Sequence, residues 1–310
     1  MSVLVVGSIA LDTVKTPFGE VEEALGGSAV YFAAAARYFA PVYVVGVVGE
    51  DFPMEGLAFL SAGSVDLQGV QVAKGRTFRW SGVYGSNLNE RETLDTQLNV
   101  FADFHPKIPS SYREAPYVFL ANIDPVLQLD VLDQVRAPKR VVCDTMNFWI
   151  EGKRKELLEV LRRTDIVVLN EGEVRQLVGE SNLIKASEGV LELGPEVVVV
   201  KKGEHGALMV SGDSFFFVPA YPTTRVFDPT GAGDSFAGGF VGYLAQADDF
   251  GEETLRRAVV YGSVMASFDV EWFGVERLRD LKEREIQERF QTFREMVRLT
   301  AETQSTQRKP

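Results

Sequence analysis

Arg140-Val141-Val142-Cys143-Asp144, an amphipathic stretch Lys153–Arg163, and Ile166-Val167-Val168-Leu169 follow one another within 30 residues. Both apolar runs are continuous rather than alternating, as in strands buried on both faces of a parallel sheet. Between them Leu157, Leu158 and Leu161 share one helical face, with the charges elsewhere. Working outward, short β-branched runs recur at Val3–Val6, Val42–Val48, Tyr117–Leu120 and Val197–Val200. Helices are predicted over Ser28–Ala40, which is Ala-rich and stops before Pro41, and over Pro53–Ala62, which opens on proline and ends at Gly63. This repetition predicts an α/β fold: a doubly wound, mostly parallel sheet flanked by helices.

Two segments break the alternation. Asp12–Leu25 has a Pro-Phe-Gly turn between β-type runs and reads as a hairpin. Gly69–Phe104 alternates polar and apolar residues, as in Thr77-Phe78-Arg79-Trp80-Ser81-Gly82-Val83-Tyr84, the pattern of a sheet with one wet face. Together they predict a small β-sheet lid, about 12–25 and 69–104, within a single domain spanning 1–300; an extension of the main sheet is the alternative. From Val275 to about Thr300, residues Leu278, Leu281, Ile286, Phe290, Phe293 and Val297 are spaced for one face of a helix docked on the core, and 301–310 read as a flexible tail.

Composition narrows the function. The 310 residues carry 32 basic and 44 acidic side chains, a formal charge of -12, the wrong sign for a protein that neutralises nucleic-acid or membrane phosphates. One cysteine, Cys143, cannot form an internal disulfide, and two histidines leave almost no ligands for zinc. The opening Met1–Gly7 lacks a basic leader region, and the apolar region Tyr31–Val48 is interrupted by Arg37 and Pro41, so a cytoplasmic protein without a membrane span is expected.

The chemistry concentrates in Asp228-Pro229-Thr230-Gly231-Ala232-Gly233-Asp234-Ser235-Phe236-Ala237-Gly238-Gly239-Phe240. A glycine-rich turn feeding a helix N-terminus aims unpaired N–H groups and the positive end of the helix dipole at one point, which suits a phosphoryl group. Asp234, in the first turn, then lies beside that anion hole; alternatively it only stabilises the helix and Gly-Ala-Gly is a tight connection. The Gly-x-x-x-x-Gly-Lys-Ser/Thr pattern of a P-loop does not occur.

That run resembles the C-terminal signature of the PfkB carbohydrate-kinase family, whose ribokinase-like members transfer the γ-phosphoryl group of ATP to a sugar or nucleoside hydroxyl. The resemblance implies an anion hole of Gly231, Ala232 and Gly233 and a catalytic base at Asp234. Gly7-Ser8-Ile9-Ala10-Leu11-Asp12 resembles the family's opening strand with its substrate aspartate, and Gly26-Gly27 its paired glycines; Asp12, Gly26 and Gly27 are thus implied acceptor contacts. Asn170-Glu171-Gly172-Glu173 is similar to the motif that positions Mg²⁺ through waters, implying Asn170 and Glu173. Asp144-Thr145-Met146-Asn147 resembles a phosphate-side region. Lys201-Lys202-Gly203-Glu204-His205-Gly206 looks like the ATP-binding turn, pointing to Lys201, Gly203 and Gly206. Thr230 belongs to the same nucleotide set, and Ser263, Ser267 and Gly274 match the helix and loop that hold adenine. Asp228 matches a position that binds K⁺ in some relatives.

Where many relatives have an asparagine four residues after the second paired glycine, this chain has Tyr31, a ring that either stacks on a nucleobase or fills the core. Arg91, and after it Asp95, are the candidate substrate contacts from the lid loop. The expectation is an ATP- and Mg²⁺-dependent kinase acting on the hydroxymethyl of a nucleoside or pentose-type sugar. Readings kept beside it are a catalytically silent nucleotide- or sugar-binding relative and a kinase for a sugar phosphate, and an exposed lid sheet could pair with its copy in a homodimer.

Overall fold

Valine runs that read as doubly buried strands are doubly buried strands in the computed structural model, which describes residues 1–296. In chain order the strands are β1 (Val3–Val6), β2 (Ala10–Thr16), β3 (Gly19–Gly26), β4 (Val42–Gly49), β5 (Val65–Ala73), β6 (Phe78–Tyr84), β7 (Arg91–Gln97), β8 (Tyr117–Leu120), β9 (Arg140–Asp144), β10 (Ile166–Asn170), β11 (Val197–Lys201), β12 (Ala207–Ser211) and β13 (Ser214–Val218). The main sheet has the order β13-β12-β11-β10-β9-β8-β1-β4-β5. From β5 to β11 all neighbours are parallel, and β12 and β13 are added antiparallel at one edge.

Side chains alternate between two apolar layers, which is why these strands read as unbroken hydrophobic runs. Val3 and Val5 face a core shared with the helices Ser28–Ala36, Ala232–Ala247 and Glu252–Asp269. Leu4 and Val6 face the opposite core, and farther along Val167, Leu169, Val198 and Val200 pack on Leu157, Leu161, Val174 and Val190. The Ala232–Ala247 helix is wedged between its neighbours through glycine: a methyl at Gly238 would strike the Phe32 carbonyl, and one at Gly239 would lie 2.7 Å from that of Tyr261. Overfilling such a contact costs about 1–3 kcal/mol.

After β1 the chain builds β4 and β5 outward on one side, then returns to lay β8 on the other side of β1. Ligand crevices form at such a reversal, outside the carboxyl ends of the strands. Asp144, Asn170 and Lys201 are the last residues of the adjacent strands β9, β10 and β11, so the topology gathers them at that end.

A separate four-stranded sheet, β3-β2-β6-β7, stands where the lid was expected. Its composition corrects the sequence reading: β5, which includes Gly69–Ala73, pairs in parallel with β4 at the edge of the main sheet. Its alternation comes from being an edge strand with one wet side. Asn99–Asp103 is a 3₁₀ turn that leads Phe104 into the core. The predicted helix over 28–40 ends at Ala36, and residues 37–40 continue as turns up to Pro41. The helix over 53–62 is a 3₁₀ turn, Met54–Leu57, followed by one α turn, Ala58–Ser61, with Gly56 weakening its start. The hairpin β12–β13 was not predicted. Leu278, Leu281, Ile286, Phe290 and Phe293 are buried under Glu276–Arg279 and Glu283–Met296; Val297 and the predicted tail lie outside the described residues.

Candidate active site

Gly231 caps the Ala232–Ala247 helix with φ +83°, a conformation that glycine adopts without steric cost. The Ala232 amide turns back to the Pro229 carbonyl at 3.2 Å. Among the described residues the amides of Gly233 and Asp234 find no acceptor. Of the 231–233 amides expected to form an anion hole, only Ala232 is thus engaged; the Gly231 amide, like those of Gly233 and Asp234, has no acceptor among the described residues, and all three lie at the positive end of a 16-residue helix.

A lysine adds to this main-chain cup. Lys201 Nζ donates to Asp144 Oδ2 at 2.8 Å, and a methyl built on Gly233 would lie only 3.0 Å from that ammonium. Asp144 is 4% exposed, and its other oxygen accepts the Thr145 amide at 2.7 Å. Burial pulls the Lys201 pKa down, but Asp144, Glu173 and Asp234 together hold it above the ordinary lysine value, so it is fully charged. Asp234 is half-buried, and desolvation, reinforced by the Asp144 charge, pushes its carboxyl up to about 7 despite Lys201 and Arg91. A carboxylate poised near neutrality beside an anion hole is the arrangement a general base requires.

Asn170 and Glu173 close a reciprocal capping box: Asn170 Oδ1 accepts the Glu173 amide at 2.9 Å, and Glu173 Oε2 accepts the Asn170 amide at 2.7 Å. The helix start and the pair expected near Mg²⁺ are the same residues. Glu173 is 8% exposed, and burial raises its pKa to about 7 against the pull of Lys201.

On the acceptor side, Asp12 is 5% exposed, and the two paired glycines make room for it. A methyl at Gly26 would overlap its carboxylate, and Gly27, at φ +94°, puts its amide in reach of it. Ser8 and Ser28 lock this corner by exchanging amide-to-hydroxyl hydrogen bonds of 3.1 and 3.0 Å. Burial, with added repulsion from Asp228 and Asp234, raises the Asp12 pKa to about 7. Arg91 of the lid lowers both Asp12 and Asp234, which places its charge on the site side.

The small sheet meets the main body at two points near the anion loop. Thr230 Oγ1 donates to the Tyr84 hydroxyl at 3.1 Å, and Asn89 Nδ2 donates to Glu204 Oε1 at 3.2 Å, with the Asn89 side chain lying over Gly203. Beneath the Ser86–Asn89 loop is a cleft of about 580 Å³ with Lys201 and Gly233 at its inner end and Tyr221, Ser267 and Val270 on its walls. Among the described residues no helix is long and apolar enough to cross a membrane.

The profile described as pfkB family carbohydrate kinase matches residues 2–278. The chain belongs to the pfkB carbohydrate-kinase family. It is 34% identical over 247 residues to the cytidine kinase of Thermococcus kodakarensis, covering 78% of this chain and 87% of that one. It is 27% identical over 154 residues to a nucleoside kinase of Methanocaldococcus jannaschii, covering 50% of this chain and 48% of that one. Among solved structures, a putative ribokinase II from E. coli complexed with ATP and Mg²⁺ superposes with a TM-score of 0.78 at 23% identity over 94% of this chain and 99% of that one. This pfkB-family chain is accordingly a phosphotransferase acting on a hydroxyl group.

The residues fit the group such a kinase works with. Among the described residues no set of three His, Cys, Asp or Glu side chains can hold a metal, which suits Mg²⁺ carried mainly by phosphates and waters. Glu173 keeps Oε1 outside the capping box as an acceptor for such waters, whereas the only side-chain oxygen of Asn170 already accepts the Glu173 amide and would have to share its second lone pair. Gly203 and Gly206 shape the turn after β11, at φ +54° and +89°. Ser263 and Ser267 line the cleft but return their hydroxyls to Val259 and Val264 carbonyls, leaving apolar faces for a base. Both Asp228 oxygens accept backbone amides, from Thr230 at 2.9 Å and Gly274 at 3.2 Å, so this carboxylate ties the anion loop to the 274 loop.

Two expectations change. Asp95 accepts from its neighbours Thr96 and Gln97 and pairs with outward-facing Ser81, so it is turned from the site. Tyr31 is 2% exposed, and its ring fills the place a Gly231 side chain would take, so it is the floor of the anion loop and has no face for a nucleobase. Its hydroxyl is buried without a partner. Tyr31→Phe, which keeps the floor and removes that orphan, is expected to preserve kcat and raise stability by about 1 kcal/mol, roughly 2 °C in a thermal melt. Tyr84 and Trp80 were not singled out as site residues, and Asp144 was named only as part of a stretch resembling a phosphate-side region. Asp144 carried a signal, a carboxylate closing a valine run, whereas the other two needed the pairing of β2 with β6.

Proposed function

We propose that this kinase transfers the γ-phosphoryl group of ATP to the hydroxymethyl of a nucleoside. Its ribose hydroxyls donate to Asp12, and its 5′-hydroxyl lies against Asp234. The observation that carries the reading is the Asp234 carboxyl at a helix start whose Gly231, Gly233 and Asp234 amides have no acceptor and whose Gly233 lies beside the Lys201 ammonium, with burial pushing that carboxyl up to about 7. Asp234 accepts the hydroxyl proton late in a loose transition state. The amides of Gly233 and Asp234 and the Lys201 charge balance the equatorial oxygens. Bound Mg²⁺ would supply charge neutralisation between phosphates, held through waters by Asn170 and Glu173. Tyr84 and Asn89 hold the lid over the reacting groups and exclude water.

The nucleoside acceptor is supported by the length of the match to a relative named a cytidine kinase. A sugar phosphate is disfavoured by charge: Arg79 pairs with Glu23 and Asp51 on the outer face of the lid, and Arg76 lies by Asp51, leaving Arg91 to face the site. Release of ADP from ATP and Mg²⁺ with a panel of nucleosides and pentoses tests the assignment, and turnover of pentoses alone would overturn it.

The same reaction carries a pH signature. Asp234 and Asp12 must both be ionised, and both pKa values are raised to about 7. kcat/KM for the acceptor should therefore fall as pH drops through 7, rather than through the ordinary range near about 4. A profile flat down to pH 5.5 would overturn the base assignment.

A further inference from the structure

In the lid, β2 and β6 run parallel with Asp12 beside Trp80 and Val14 beside Gly82. Alternation then places Asp12, Trp80, Gly82 and Tyr84 on one face. Contacts identify that face: Tyr84 meets Thr230 of the anion loop, whereas Arg79 turns the other way to Glu23 and Asp51. Trp80 therefore looks into the acceptor side.

Its indole is held in place. Gly82, two residues on, leaves room for the six-membered ring to fold down onto the strand, and any side chain there would strike it. The Nε1–H donates to Thr93 Oγ1 at 3.3 Å, which fixes the ring's rotation. The Arg91 guanidinium lies 5.5 Å from the ring centroid. Trp80 is half-buried, and among the described residues no other aromatic ring packs on it.

The geometry points to Trp80 as the platform on which the acceptor's base rests, with the Arg91 guanidinium, which lies over the ring, moving aside to donate to a carbonyl or ring nitrogen of that base. This rests on the nucleoside reading above and deepens it, moving base recognition to the lid and away from Tyr31. Adjacent strands are about 4.8 Å apart, so a ribose held at Asp12 brings the base attached to it over the neighbouring strand. A free pentose would leave the indole uncovered.

Steady-state kinetics with cytidine as acceptor, on wild type, Trp80→Ala and Trp80→Phe, provide the test. Trp80→Ala should raise KM for cytidine about tenfold or more, the range of base–aromatic stacking, with kcat and KM for ATP changed less than about threefold. Trp80→Phe should recover most of the loss. Without turnover, cytidine should quench indole fluorescence in wild type and fail to do so in Trp80→Phe. An unmoved KM, a fall confined to kcat, or a quench that survives in Trp80→Phe would overturn the platform while leaving the nucleoside reading standing. A wild type that phosphorylates no nucleoside would overturn both.

Discussion

Asp234→Asn is expected to lower kcat by about 10³-fold, within the range lost when a positioned general base is removed, with KM for ATP nearly unchanged. The asymmetry follows from where the groups sit. The donors facing the transferred phosphoryl group, the Gly233 and Asp234 amides and Lys201 Nζ, survive the substitution, because an amide side chain leaves the backbone and its 16-residue helix in place. Only the proton acceptor goes. The acid limb near pH 7 should then weaken to the contribution of Asp12. Turnover within tenfold of wild type would remove Asp234 from the mechanism.

The second large effect is at Lys201. Its side chain is 18% exposed, and it is the cation bonded to the nearly inaccessible Asp144. Lys201→Met strips the charge and strands that carboxylate beside Glu173, a loss on the order of 3–5 kcal/mol for breaking one side of a buried pair. Thermal unfolding should drop accordingly, and kcat/KM for ATP should fall by about 100-fold or more as a phosphate-facing charge is lost. The double variant Lys201→Met/Asp144→Asn separates the two roles. Neutralising the stranded acid should restore much of the melting temperature and none of the ATP use. Recovery of ATP use in the double variant would show that Lys201 serves only to neutralise Asp144.

Legibility followed physical locality. The central strands could be read because burial on both faces demands uninterrupted β-branched residues, as in Val197–Val200. The anion loop could be read because its glycines, its acid and its helix are contiguous in the chain. What failed were judgements that depend on partners far away. β5 alternates like a lid strand but finds β4 in the main sheet. Tyr31 has the chemistry of a stacking residue, yet Gly231, 200 positions later, occupies its face. Trp80 means little until Asp12 is known to lie beside it. Asn170 and Glu173 offered an ordinary helix start or a ligand pair, and the capping box forms the first while leaving Oε1 of Glu173 free for the second.

The stem and tip of a single ribbon, β6 with β7, divide their duties: Tyr84 meets Thr230 and Arg91 faces Asp12 and Asp234, while Asn89 between them rests on the turn after β11. Whichever ligand arrives first therefore bears the entropy of immobilising a segment that the other also needs. Their affinities are tied thermodynamically, each strengthening the other by an identical factor. The same ribbon that closes over one ligand thus restrains water from attacking the other.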